Sequence, residues 1–229
     1  MFASLPSARI VGLALASVLV GVGGAGPADP TTGAIVGRVD VKLPLGPPRE
    51  RPSIRGSSSL TTTDRGRPDR RQSVVYIAVA QQGAFEASAR RRATLDQRQE
   101  TFVPYVLPIT AGTSVDFPNS DPFFHNVFSL SKAKRFDLGR YPKGETKSVR
   151  FDEPGVVRVF CEIHSHMSAF VLVFTHRYFD ATEPDGSYRI DGVAPGTYDV
   201  VVWTDGEDRV RRSVRVNGGE TTEVDFVVE

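Results

Sequence analysis

Chemistry in this chain is concentrated in two short stretches. Residues 157–167 read Val-Arg-Val-Phe-Cys-Glu-Ile-His-Ser-His-Met, and residues 124–127 read Phe-His-Asn-Val. The first contains Cys161, the only cysteine of the 229 residues, with His164 and Met167 following it at equal spacing; the second supplies His125. Two imidazoles, one thiolate and a weak axial thioether are the donor set of a type 1, or blue, copper electron-transfer site. The surrounding pattern suits that chemistry. Residues 156–160 form a β-patterned run that delivers Cys161 to a short turn, while His125 arrives from a separate strand end. Copper(II) and copper(I) prefer different coordination, so ligands fixed on rigid strands would keep the cost of changing oxidation state small.

Each of these residues has a plainer reading. A lone cysteine can be a small buried hydrophobe, a free thiol or half of an intermolecular bridge; the flanking His and Met favour a ligand. His164 and His166 both lie within reach of a metal bound by Cys161, and the residue types alone do not choose between them. Phe123, Phe124 and Phe170 could form an apolar collar through which a partner approaches the metal, or could simply be core.

Residues 102–174 resemble a cupredoxin of the amicyanin or plastocyanin kind. The likeness rests on His125-Asn126-Val127 and on the Cys-x-x-His-x-x-Met spacing of Cys161, His164 and Met167. The runs starting at Asp121, Arg140 and Pro154 are also similar to proteins labelled "methylamine utilization protein", which are cupredoxin-like. The resemblance implies a copper cofactor held by His125, Cys161, His164 and Met167, and selects His164 over His166, leaving the latter as a pH-sensitive neighbour at a partner surface. It further implies that the Asn126 amide links the two ligand-bearing segments and orients Cys161. His176 falls beyond the last expected strand of this domain, set at 101–175, and reads as a surface histidine.

Ahead of this domain, residues 1–27 read as a secretory signal: Arg9 supplies the positive region, residues 10–22 the apolar one and Gly23-Gly24-Ala25 a cleavage site. The apolar run is short for a membrane span, although an uncleaved anchor is the alternative. The expectation is export, to the periplasm if the source has two membranes, with no stable span after cleavage. A formal charge of +1 argues against a dedicated nucleic-acid binder. Between Arg49 and Arg98 arginines are frequent, which suggests either a docking face for an acidic redox partner or an anionic membrane or, more simply, a solvated loop.

The elements follow from periodicity. Alternation over 34–41 predicts a half-buried strand and the near-continuous apolar run at 73–80 a strand buried on both faces. Residues 44–72, rich in Pro, Gly, Ser, Thr and Arg, predict a disordered basic loop. Short strands are expected around 102–109, 115–117, 136–138, 146–151, 156–160 and 168–174, without helical periodicity. Turns at Asp185-Gly186 and Pro195-Gly196 separate further strands to the end of the chain. Residues 178–229 resemble a carboxypeptidase regulatory-like, prealbumin-type β-sandwich, in which an opening Gly-x-x-x-Gly-x-Val strand and a later Val-rich strand normally come first. Here Gly33 to Val41 and Val74 to Val79 are the matches, so the cupredoxin is expected to sit inside the accessory sandwich. The fold class expected is therefore all-β: a cupredoxin β-sandwich plus a prealbumin-like one.

The function expected is an exported one-electron carrier that exchanges electrons with a redox partner protein such as a cytochrome or dehydrogenase. A copper-handling protein without redox turnover, or an interaction module with a vestigial metal site, are the alternatives. Enzymatic activity is not expected: the second domain carries no catalytic constellation, and four histidines cannot ligate both a type 1 and a trinuclear copper centre. Carbohydrate binding by Tyr198 and Trp203 is conceivable, but core aromatics are the better reading.

Overall fold

The computed structural model describes residues 31–42, 69–80 and 91–229. The expected signal at 1–27 and most of the basic loop, 43–68, lie outside the described residues. Among the described residues all regular structure is β, and no helix is long and apolar enough to cross a membrane. The all-β expectation is met, with two sandwiches.

Two strands come first, β1 (Gly33–Val41) and β2 (Ser73–Ile77). The next ten build the first sandwich: β3 (Arg92–Thr94), β4 (Asp96–Gln97), β5 (Phe102–Val103), β6 (Val106–Thr110), β7 (Thr113–Pro118), β8 (His125–Leu130), β9 (Arg135–Tyr141), β10 (Thr146–Phe151), β11 (Gly155–Phe160) and β12 (Ser168–Phe174). A five-stranded sheet ordered β6-β12-β11-β8-β9 faces a three-stranded sheet ordered β10-β7-β3, with β4 and β5 forming a hairpin beside them. Alternating residues such as Val115 and Phe117 of β7 and Val157 and Val159 of β11 fill the space between. The sandwich begins ahead of residue 101: β3 runs parallel to β7 and Leu95 is fully buried in the core. The two-residue and three-residue strands there are too short to announce themselves by alternation.

The second sandwich holds β13 (Phe179–Ala181), β14 (Ser187–Val193), β15 (Gly196–Thr204), β16 (Glu207–Val216), β17 (Thr221–Glu223) and β18 (Phe226–Val228). Strands β1 and β2 are interior members of its two sheets. β1 is flanked by β14 on one side and by β17 and β18 on the other, and β2 lies between β13 and β15. Gly37 of β1 packs so closely under the Val224 carbonyl that a Cβ there would overlap it. β2 ends at Ile77, short of the expected Ala80, and Val79 is exposed.

The sandwiches meet through two strands that are apolar on both faces. On β12, Ala169, Val171 and Val173 enter the first core, while Phe170 and Leu172 turn outward. On β2, Val75 and Ile77 enter the second core and Val74 turns outward, and the outward sets meet Tyr105, Val106 and Trp203. Both strands therefore read as continuous apolar runs. Trp203 packs edge-on against Phe170 with ring centroids 4.9 Å apart, and Tyr198 lies in the second core, so both aromatics are packing residues. Phe170 is likewise interface and not a collar around the ligands.

A buried polar cluster closes this interface. Arg70 forms an ion pair with Asp205, and the Tyr105 hydroxyl donates to Asp205 Oδ1 at 2.8 Å. Residues 69–72, expected within the disordered loop, form a turn fixed by this pair. Other arginines of the basic stretch are also committed to carboxylates, Arg92 to Asp116 at 2.5 Å and Arg98 to Asp96 at 4.0 Å.

Candidate metal centre

The hairpin of β11 and β12 is closed by the turn that carries Cys161, His164 and Met167. The Cys161 amide donates to the Met167 carbonyl at 3.3 Å and the Met167 amide to the His164 carbonyl at 3.0 Å, which curls the turn over the end of the sandwich. His125 opens β8, where it lies opposite Tyr141 of β9. Three donor atoms converge there. His125 Nδ1 and His164 Nδ1 are 3.0 Å apart, and Cys161 Sγ lies 3.8 Å from the first and 3.9 Å from the second. The point equidistant from all three is about 2.1 Å from each, within the roughly 2.0–2.3 Å of metal–imidazole and metal–thiolate bonds. The donor set and its spacing thus fit one metal ion.

Met167 is buried in the same core cluster as Cys161. His125 and Cys161 are fully buried and His164 is half-buried, so the last offers the edge through which the group meets solvent. The Phe123 ring stands 6.3 Å from the rings of both histidines, and it and Phe124 are exposed, at 47% and 56%. His166 stands outside the converging group, its Nε2 3.4 Å from Glu100. His176 corrects the sequence reading: it is buried between the rings of Phe174 and Tyr178, and its Nδ1 accepts the Tyr178 amide at 3.2 Å.

Asn126 spans the two segments that carry the candidate ligands. Its Oδ1 accepts the Glu162 amide at 3.3 Å, and its Nδ2 donates to Asp137 at 2.7 Å. The β8–β9 register shifts between Asn126 and Phe128, a bulge of the kind that re-aims side chains beside a site.

The electrostatics favour a thiolate. Burial alone would push the Cys161 thiol up, but the His125 and His164 rings and the Asn126 and His164 amides outweigh it and bring it down to about 6. Burial would likewise depress His125, yet Cys161 and Asp121 together raise it.

Two supporting residues escaped the sequence reading. Asp121 Oδ2 lies 2.8 Å from His125 Nε2, and Asn119 shapes the loop that carries it, donating to the Phe123 carbonyl at 2.8 Å and accepting the Asp121 amide at 3.0 Å. The available signal for Asp121 was its position one short turn before a candidate ligand, since ligating histidines commonly give their second nitrogen to a carboxylate.

Residues 168–229 match the carboxypeptidase regulatory-like domain family. The match falls on the second sandwich but starts within β12, a strand of the first, and it omits β1 and β2. Among solved structures the chain is similar to a copper-containing nitrite reductase from Thermus scotoductus SA-01, at 25% identity over 43% of this chain and 25% of that one, with a TM-score of 0.36. The likeness thus spans only a quarter of the reductase. The chain is also similar to a purple cupredoxin from Nitrosopumilus maritimus, at 24% identity over 36% of this chain and 99% of that one, with a TM-score of 0.33. A methionine-to-glutamine variant of amicyanin in its Cu(I) form shares 20% identity over 36% of this chain and 82% of that one, with a TM-score of 0.35. The comparison with curated protein sequences found no match.

Proposed function

We propose that the protein is an exported one-electron carrier with a type 1 copper centre held by His125, Cys161, His164 and Met167. The observation that carries this reading is the triangle of two Nδ1 atoms and one Sγ, set between the start of β8 and the turn after β11 and sized for a single metal ion. Bound copper would supply a one-electron couple there. The protein's own residues do the rest. Strands β8 and β11 fix His125 and Cys161, Asn126 ties the two segments together, and the half-buried His164 beside exposed Phe123 gives a redox partner a close approach. In this reading the partner is another protein and the chain is a carrier, not an enzyme. The charge of +1 supplies little long-range steering, which leaves recognition to local contacts around the site.

Copper(II) added to the chain lacking residues 1–27 should give an intense blue thiolate-to-copper band with narrow hyperfine splitting in electron paramagnetic resonance, lost in Cys161→Ser and His164→Ala. A colourless complex, or a spectrum unmoved by both substitutions, defeats the proposal.

A further inference from the structure

Asp121 is a buried carboxylate that the ligand set leaves without a task. Its Oδ2 meets His125 Nε2 at 2.8 Å. It also accepts two successive backbone amides, Gln99 N–H at 2.6 Å and Glu100 N–H at 2.8 Å. Those amides come from the centre of the two-residue turn joining β4 to β5, closed by paired bonds between Arg98 and Thr101. Gln99 and Glu100 both adopt left-handed conformations, with φ of 56° and 54°. Such a turn favours Asn-Gly or Asp-Gly, and neither residue here is of that kind. Strained backbone persists where its surroundings demand it. Here the demand is visible: successive amides in this conformation make an anion-binding concavity, and the anion in it is Asp121.

Resting on the copper reading above, we infer that Asp121 is a positioning residue: held by the 98–101 turn, its carboxylate keeps the His125 proton on Nε2 and turns the free Nδ1 lone pair towards Cys161 and His164. An ionised carboxylate can only accept, so the ring nitrogen facing it must donate, and the opposite nitrogen is left as the ligand. The orientation exists before any metal arrives. Among the described residues the partners of the Asp121 carboxylate are amides and one ring, with no lysine or arginine, so its negative charge remains beside the centre. That charge favours the more oxidised metal and lowers the reduction potential.

The test separates orientation from charge. Nitrogen-15 NMR of the metal-free protein at mildly alkaline pH should show His125 protonated on Nε2 in the wild type and in Asp121→Asn, whose amide oxygen still accepts. Asp121→Ala should lose that tautomer and bind copper(II) about 10–100-fold more weakly. Copper-loaded Asp121→Asn should have a raised reduction potential, and this near-isosteric variant keeps the idea testable if the alanine variant does not fold. An unchanged tautomer in Asp121→Ala, or an unraised potential in Asp121→Asn, overturns the inference. Correct tautomers in a protein that forms no blue complex would instead remove the electron-carrier reading and leave the orienting role standing.

Discussion

Asp121 and Asp205 are both buried carboxylates, and the sequence treats them alike, yet they are held by opposite means. Asp205 sits between the sandwiches, where the Arg70 guanidinium cancels its charge and the Tyr105 hydroxyl completes its bonding. Asp121 sits behind the candidate metal ligands and receives only amides and an imidazole. A neutralised pair of the second sandwich, reached by Tyr105 from the first, fastens the two bodies together without imposing a field on its surroundings. A carboxylate bound by dipoles alone keeps its charge and can influence a metal. The backbone follows the same division: Asp205 is itself left-handed, at a φ of 49°, whereas for Asp121 the left-handed residues are its donors.

By that contrast, removing Asp205 is the more damaging to stability and the less damaging to the site. Asp205→Ala leaves Arg70 buried without its carboxylate and should cost about 3–5 kcal/mol, measured by chemical denaturation, with the blue band unmoved. A shifted band would erase the distinction. Next in size is Gly37→Ala, which forces a methyl against the Val224 carbonyl and should cost about 1–3 kcal/mol; it acts only within the second sandwich, so copper binding stays intact while the thermal transition falls.

The smallest effect concerns the candidate ligands themselves. In the metal-free protein the Cys161 thiolate absorbance should titrate with a midpoint of about 6, and His164→Ala should move it upward. Because the folded thiol ionises more readily than the unfolded one, this group adds stability above the ordinary thiol range and loses it as pH falls through about 6. His125, shifted the other way, contributes fully below the ordinary histidine range and loses its contribution as pH rises through its elevated value. The two contributions overlap between about 6 and that elevated value. A thiolate absorbance midpoint in the ordinary thiol range would show that the rings do not hold a thiolate there.

How much was legible follows from the range of the interactions. Cys161, His164 and Met167 share one turn, so their spacing alone suggested a ligand set. Strands β2 and β12 were visible as apolar runs, but a run does not say which two bodies it separates. The sequence alone therefore leaves Phe170 between collar and core. Asp121 needed knowledge of a turn whose Gln-Glu sequence advertises no left-handed pair. His176 reads as a surface residue for a similar reason: its burial is decided by Phe174 and Tyr178 folding over it, and a single polar residue in a linker carries no such signal. The extra strands β3 and β4 are too short for any period to register.

The pairing of β1 also sets an order of events. Gly33 lies opposite Val193, and Ala34 pairs with Thr221, so β1 finds none of these neighbours until β14, beginning at Ser187, has been made. Residues 92–174 have every strand of the first sandwich among themselves. Closing long loops is slow, so the ligand-bearing body can collapse first and serve as the short bridge that brings β2 and β13 side by side, with Val75 opposite Asp180. The second sandwich can thus assemble around a finished insert, with the candidate ligands in place before the frame that surrounds them is complete.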